Sequence, residues 1–165
     1  MFSSLYNISE SRRLYLKPML DRAELEELAA LELVCFPGGE NYDLHTLRHF
    51  VSRNGAGILR WHEPAEGAHR RLVAFHLFDC FAAELITLDV HPDCRRRGIG
   101  AALVTESLRK LREFGHRQAS CQIATSNEGS LELHYRLGFK PIRTLPNYYG
   151  AGRDAHLLVA PLGNP

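Results

Sequence analysis

Apolar residues recur along this chain at two spacings, which divide it into strands and helices. Short apolar or alternating runs bounded by Gly, Pro or polar residues predict strands at 13–18, 57–61, 71–80, 83–90, 118–124, 140–145 and 155–160. Apolar residues three and four positions apart predict helices after Asp21 and at 43–52, 98–114 and 130–137. The polar segment 63–67 predicts a mobile loop between two of the strands.

Capping and helix-breaking residues mark the ends of these helices. Asp21 and Glu24 have the spacing of a capping box at the first helix, and Pro37-Gly38-Gly39 ends its pattern. Gly115 ends the longest helix. The predicted order is β-α-α-β-β-β-α-β-α-β-β in a single domain over residues 1–165. Its central strand-helix-strand portion predicts a right-handed parallel crossover within a mixed sheet flanked by helices, an α/β fold (α+β in some schemes).

The composition of the chain excludes some classes of function but does not indicate an activity. A chain of 165 residues is long enough to bury a substantial core without disulfides or metals. Its formal net charge of +1 gives no broad field for nucleic acid or an anionic membrane, so we expect neither as a partner. No stretch approaches 18 uninterrupted apolar residues, and Met1 to Lys17 contains no signal-peptide apolar segment, which favours a cytoplasmic location.

The residues that bind metals or form disulfides are scattered. Four cysteines contain no Cys-x-x-Cys pair, so we expect reduced thiols at Cys35, Cys80, Cys94 and Cys121. His45 and His49 are four positions apart on a predicted helix, but they lack an HExxH pattern and are expected on a solvated face. We therefore predict no metal site.

A basic, glycine-containing turn follows the strand at 83–90. Pro92 ends that strand, and Arg95 to Arg97 with Gly98 and Gly100 lead into the longest helix. Unpaired backbone N–H groups and the positive dipole end of a helix favour an anion there, and glycines allow phosphate to approach the backbone. The alternative is an exposed basic loop before a capped helix. The chain lacks the GxxxxGKS or GxxxxGKT pattern of a Walker loop, and Leu103 stands where a Rossmann GxGxxG motif needs glycine.

This turn resembles the acetyl-CoA signature of the GNAT superfamily of N-acetyltransferases. In that signature a strand and a proline precede Arg or Gln, two residues, Gly, one residue, and Gly or Ala; Arg95, Gly98 and Gly100 fill its fixed places. A second segment, with Asn127, Leu131 and Leu137-Gly138-Phe139, resembles the downstream motif of the family. The two matches span residues 84 to 140 and imply a GNAT-like fold with acetyl-CoA as co-substrate.

The resemblance assigns the cofactor site residue by residue. The backbone amides from Arg95 to Ala101 would hold the CoA pyrophosphate, and the strand edge at 88–90 would pair with pantetheine. Asn127 would bond to the pantetheine arm or serve only as a helix N-cap. The expected cofactor-binding residues are Leu88, Asp89, Val90, Arg95, Arg96, Arg97, Gly98, Ile99, Gly100, Ala101 and Asn127.

A third similarity concerns the acceptor. Asn147-Tyr148-Tyr149, followed by Asp154-Ala155, resembles the acceptor-side hairpin of the RimI-like Nα-acetyltransferase branch. By that resemblance Tyr148 and Tyr149 would contact the acceptor. Without it, the same residues describe a polar turn with two surface tyrosines.

The resemblance also proposes residues for the proton transfers. Glu84 stands six residues before Val90, at the position of the catalytic base in many family members. The RimI-like branch often takes its base from the next strand, where this chain has Gln122, which cannot accept a proton; the base would then be Glu84 or an ordered water. His134 occupies the position of the family's tyrosine acid, and Tyr135, about 100° away on the helix, is the reserve.

These features together imply acetyl transfer from acetyl-CoA to a primary amine by direct attack, without a covalent enzyme intermediate. A peptide or protein α-amine is the expected acceptor, because its pKa of ~8 against ~10.4 for lysine lowers the cost of deprotonation by about 3 kcal/mol. A small-molecule amine and a protein lysine remain alternatives, as does a longer acyl donor. A catalytically inactive CoA-binding regulatory module is the alternative from another class, because Gln122 and His134 replace expected groups. Nucleic-acid binding would rest on the arginine run alone.

Overall fold

The computed structural model describes residues 20–38, 41–65 and 70–163, so the predicted strand at 13–18 and part of the predicted loop at 63–67 lie outside the described residues. Within these ranges the chain forms helices and strands in the predicted order, and a single 3₁₀ turn at Pro92–Cys94 precedes the third helix. The helices are α1 (Arg22–Cys35), α2 (Leu44–Ser52), α3 (Ile99–Glu113) and α4 (Glu128–Arg136). The strands are β1 (Ala56–Pro64), β2 (Arg70–Asp79), β3 (Glu84–Val90), β4 (Gln118–Ala124), β5 (Lys140–Leu145) and β6 (Ala155–Pro161).

The strands form one mixed sheet in the order β1-β2-β3-β4-β6-β5. The pair β3 and β4 is parallel, and the other neighbouring strands are antiparallel. Helix α3 connects the two parallel strands, which confirms the predicted crossover in a mixed sheet. A sheet of this kind places the ends of β3 and β4 at the same edge, beside the start of the crossover helix.

Local sequence signals account for most element boundaries. The capping box is present: Asp21 accepts the backbone N–H of Glu24 at 2.8 Å, and Glu24 accepts that of Asp21 at 3.0 Å. Two boundaries differ from the prediction by more than one residue. Strand β1 continues through Pro64, which pairs with Arg70, so the first two residues of the predicted loop belong to the strand. Helix α4 begins at Glu128 because the preceding Asn127 caps it.

The two faces of the sheet carry separate apolar cores. Helices α1 and α2 cover one face, where Leu28 and Leu47 join a buried cluster with Phe75 of β2. Helix α3 covers the other face, where Val104 and Leu111 are fully buried. The four cysteines are buried and unpaired, as expected.

The sheet opens between its two parallel strands. Strands β3 and β4 pair only where Glu84 faces Ser120 and Leu85 faces Cys121. The register between β2 and β3 shifts at Ile86, and a bulge of this kind bends a strand and increases its twist. Strand β4 meanwhile pairs with β6 along its whole length. From Ile86 onward β3 and β4 therefore diverge, and a cleft forms between them.

Candidate active site in the cleft between the parallel strands

The cleft has a volume of about 870 Å³ and runs from the start of α3 to the connection between α1 and α2. Strands β3 and β4 form its sides, and α4 contributes Leu133 and His134. The hairpin between β5 and β6 contributes Tyr149. One cavity thus brings together most of the segments that the sequence singled out.

The N-terminus of α3 is uncapped by any side chain. Gly98 is its N-cap residue, with φ of 82°, and Arg96 also has a positive φ of 60°. The first bond within the helix runs from Ala102 N–H to Gly98 O at 3.0 Å, so the amides of Ile99 to Ala101 precede it. These amides and the helix dipole form an anion site of the kind that a diphosphate requires.

Gly100 keeps this site open toward the cleft. A Cβ atom at this position would lie 3.4 Å from Leu133 and 3.5 Å from Leu88 and Val90. The space that a side chain would occupy therefore lies between β3 and α4, inside the cleft. Lacking one, Gly100 allows a ligand to approach the helix backbone.

The three arginines of the turn diverge. Arg95 donates to Val90 O at 3.0 Å and to Cys35 O at 3.4 Å, and thereby links the turn to the end of α1. Arg96 lines the cleft and pairs with Glu132 at 3.3 Å. The Arg97 side chain pairs with Glu63 at 2.6 Å and lies outside the cleft lining, whereas the prediction for Arg97 concerned its backbone amide. Its backbone stays within the turn.

Strand β3 presents Leu88 and Val90 to the cleft. The side chain of Asp89 does not line it, whereas the prediction for Asp89 concerned the backbone edge of the strand. Asp89 is fully buried and its Oδ2 accepts the Thr87 hydroxyl at 2.9 Å, on the side of the sheet that faces α1. The alternation of side chains along a strand separates Asp89 from its two neighbours.

Helix α4 begins and ends beside the cleft. Asn127 lines the cavity, and its Oδ1 also accepts the Ser130 N–H at 3.1 Å, so it caps α4 whatever else it binds. His134 is buried and lines the cleft, whereas Tyr135 is 43% exposed and does not. The helical geometry thus separates the two acid candidates and brings only His134 to the cavity.

The hydrogen bonds of His134 define its proton position. Nδ1 lies 2.8 Å from Ser130 O, which can only accept, so Nδ1 carries the proton. Burial lowers the pKa of His134, which favours the neutral ring. Nε2 is then an acceptor, since both contacts to Ser130 are made by Nδ1. In this tautomer Nε2 would have to gain a proton before His134 could act as the predicted acid.

The other end of the cleft is lined by aromatic side chains. Tyr149 O–H donates to Gln122 O at 2.9 Å, and Tyr148 O–H to Gln122 Oε1 at 3.4 Å. Tyr149 and Gln122 line the cavity, while Tyr148 is half exposed beside it. Burial and then the nearby Glu84 carboxylate raise the pKa of Tyr148. Glu84 therefore lies close to this end, although its side chain does not itself line the cleft.

Several cleft residues were missed from the sequence, among them three with titratable side chains. Glu32, Tyr42 and His76 all line the cavity. Burial raises the pKa of Tyr42 to about 12, with Tyr148 the next largest cause, which places the two phenols near each other. Burial also lowers the pKa of His76 to about 4, so its ring is neutral and donates from Nδ1 to Thr87 O at 2.7 Å. The sequence did contain a signal for Glu32, because this glutamate stands among the apolar positions of the first helix.

Among residues 20–38, 41–65 and 70–163, no group of three or more His, Cys, Asp or Glu side chains is arranged to hold a metal ion. His45 and His49 are both exposed on α2. In the same ranges no helix combines the length and apolar character needed to cross a bilayer.

Comparison with known proteins gives a consistent result. A model of the Acetyltransferase (GNAT) family matches residues 25–139. An N-alpha-acetyltransferase of Sulfurisphaera tokodaii is 34% identical over 79 residues, which are 47% of this chain and 47% of that protein. The chain therefore spans about half the length of the curated relatives it matches.

Solved structures share the fold at low sequence identity. The ribosomal-protein-S18-alanine N-acetyltransferase of Escherichia coli has a TM-score of 0.70 at 20% identity, covering 88% of this chain and 92% of that chain. The aminoglycoside 6'-N-acetyltransferase of Enterococcus faecium also has a TM-score of 0.70, at 15% identity, covering 88% and 96%. The fold therefore occurs with both protein and small-molecule acceptors.

Proposed function

The chain belongs to the GNAT acetyltransferase family, and from that premise we propose that it transfers an acetyl group from acetyl-CoA to the α-amine of a peptide or protein. The observation that carries the proposal is the single cleft with an anion-binding helix end on one side and a tyrosine-lined mouth near a carboxylate on the other. The first feature suits the donor, and the second suits an amine acceptor.

The donor half of the cleft fits acetyl-CoA, which supplies an acetyl group activated as a thioester. The amides of Ile99, Gly100 and Ala101 would bind its diphosphate, and the bare face of Gly100 permits close approach. Arg96 would add a positive charge, because an exposed ion pair such as that with Glu132 contributes only about 0–1 kcal/mol and is easily exchanged. The unpaired edge of β3 from Ile86 to Val90 provides backbone groups for the pantetheine amides.

The acceptor half contributes the groups that handle the amine. Glu84 accepts a proton from the acceptor ammonium, directly or through water, since Gln122 cannot do so. After burial, the Glu84 carboxylate contributes to the raised pKa of both Tyr42 and Tyr148, so these two tyrosines are coupled to the proposed base. The neutral amine then attacks the acetyl carbonyl. The second amine proton goes to the departing sulfur, and Nε2 of His134 is placed in the cleft as an acceptor that can relay it.

Several features favour an α-amine. The tyrosine hairpin is the segment that resembles Nα-acetyltransferases, and the similar archaeal protein is named as one. An α-amine, with a pKa of ~8, also demands less of a single base than lysine does, by about 3 kcal/mol. The aminoglycoside acetyltransferase fold supports a small-molecule amine as the second candidate.

An acceptor panel tests the proposal. The panel contains one peptide with a free N-terminus, the same peptide with a blocked N-terminus and an internal lysine, and aminoglycosides. Release of CoA measures the turnover of each. We expect turnover of the free N-terminus at a kcat/KM at least about tenfold above the others. A preference for lysine or an aminoglycoside would redirect the acceptor assignment. CoA binding without turnover of any amine would instead support a regulatory module.

A further inference from the structure

Two interacting carboxyl groups are buried at the wall of the cleft, Glu32 on α1 and Asp89 on β3. The side chains of Glu32 and Asp89 are both 0% exposed. Glu32 Oε2 accepts the backbone N–H of Tyr42 at 3.1 Å, and Asp89 Oδ2 accepts the Thr87 hydroxyl at 2.9 Å. The second oxygen of each group, Glu32 Oε1 and Asp89 Oδ1, has no donor among the described residues. Two buried acceptors without donors are costly unless a proton lies between them.

The two groups influence each other's ionisation. Burial raises the pKa of Glu32 to about 7. Burial and then the neighbouring Glu32 carboxylate raise the pKa of Asp89 well above its usual range. One shared proton supplies the O–H donor that both orphan oxygens lack. It also leaves one buried negative charge rather than two.

We propose that Glu32 and Asp89 share a proton and act as positioning residues that hold the acceptor wall of the cleft against β3. The wall consists of Cys35 at the end of α1 and of Phe36 and Tyr42, which lie between α1 and α2 and line the cavity. Glu32 is the link, because its carboxyl binds the Tyr42 backbone on one side and faces Asp89 on the other. Only the kinetic part of this inference rests on the proposed function; the shared proton is testable without turnover.

The groups around Glu32 and Asp89 have pKa values far from neutral, so this pair is the part of the site that titrates near neutral pH. Burial and then Asp89 raise the pKa of Cys35 to about 12, and burial raises that of Tyr42 to about 12. On β2, the buried His76 is neutral, with its pKa lowered to about 4. Arg95 lies on this side of the turn and donates to Cys35 O at 3.4 Å. After burial, Tyr148 and Glu32, the Glu84 carboxylate also raises the pKa of Tyr42.

Carbon-13 NMR of the side-chain carboxyls in the full chain measures the shared proton directly. Glu32→Gln and Asp89→Asn assign the two resonances. We expect the two carbons to titrate together, with at least one proton retained above about pH 7. If both carbons titrate independently near the ordinary carboxyl value of about pH 4.5, the pair shares no proton and the proposal is wrong.

Kinetics test the positioning role. Glu32→Gln supplies an amide N–H₂ in place of the shared proton, and Glu26→Gln is the matched control, since Glu26 is an exposed carboxylate on the same helix. The acceptor KM of wild type divided by that of Glu32→Gln should rise at least about threefold between about pH 6 and 9. Titration of the acceptor amine cancels in this ratio. The kcat values of the two proteins should stay within about threefold of each other.

Each other outcome has a defined consequence. A loss of kcat of about 100-fold with unchanged KM would make Glu32 a base and overturn the positioning role. A KM ratio that is independent of pH would also overturn it. If Glu32→Gln fails to fold, Asp89→Asn replaces it in the kinetics and the wild-type titration still decides the shared proton. If no amine is acetylated, the proposed function fails, and the titration again judges the pair separately.

Discussion

Placing a carboxylate at position 100 should separate donor binding from folding. Gly100 is the second residue of α3, where an acidic side chain stabilises a helix through its dipole by about 0.3–1 kcal/mol. A Cβ atom there would meet Leu133, Leu88 and Val90 at 3.4 to 3.5 Å, which are ordinary contact distances. Gly100→Glu should therefore fold with an unchanged or slightly higher Tm.

The same substitution should weaken CoA binding. At an effective dielectric constant of about 20 and a separation of about 8 Å, the new carboxylate repels one negative charge by about 2 kcal/mol. A diphosphate carries more than one charge, so Kd should rise by at least about 30-fold. Gly100→Ala adds the Cβ atom without the charge and should have a smaller effect. Thr105→Glu adds the charge to the same helix at an exposed position outside the cleft lining and should have almost none.

Isothermal titration calorimetry with CoA measures these affinities, and thermal unfolding verifies that each variant is folded. Acetyl-pantetheine, which lacks the diphosphate, provides a second donor for comparison. Gly100→Glu should impair acetyl-CoA use far more than acetyl-pantetheine use. A folded Gly100→Glu chain that binds CoA as tightly as wild type would show that the diphosphate does not lie at the start of α3.

Other substitutions address the remaining assignments. Glu84→Gln should lower kcat by about 10²–10⁴-fold with little change in CoA affinity, and higher pH should partly restore it by deprotonating the amine; unchanged turnover and pH profile would exclude Glu84 as the base. Tyr148→Ala should raise acceptor KM much more than CoA Kd, and equal kinetics across the acceptor panel would remove its role. Arg97→Ala should change CoA Kd less than Arg96→Ala does, because only Arg96 lines the cleft; the reverse order in calorimetry would contradict this geometry. Since the folded-state pKa of Glu32 is raised to about 7 from 4.5, the folded chain holds that proton longer than the unfolded chain. Urea unfolding should therefore show stability falling as pH rises through this window, by up to about 3 kcal/mol, with a weaker dependence in Glu32→Gln.

The sequence was sufficient for the elements because each has a strong local pattern. The capping box at Asp21 and the apolar spacing of α3 depend only on neighbouring residues, and both were found as predicted. The glycine-containing turn before α3 was recognisable for the same reason, since its residues are contiguous. The error at the end of β1 involves only a few residues. The strand continues through Pro64 because Arg70 pairs with Pro64 across the loop.

Side-chain directions at the site depend on distant partners, and there the sequence was insufficient. Arg97 turns away from the cleft because Glu63, on β1, offers a carboxylate. The Asp89 side chain faces α1, where it interacts with Glu32, and does not face the cavity. Neither pairing leaves a periodic signal, because the partners are brought together only when the sheet and helices have assembled. The divergence of β3 and β4, which creates the cleft, is likewise a tertiary property.

A single-peptide competition tests the central claim most directly. One peptide carrying both a free α-amine and an internal lysine is incubated with the protein and carbon-13-labelled acetyl-CoA, and fragmentation mass spectrometry locates the label. The account predicts an enzyme-dependent acetyl group on the α-amine, lost in Gly100→Glu and strongly reduced in Glu84→Gln. Label on the lysine alone, or no label above the enzyme-free control for any N-terminal sequence tried, would contradict it.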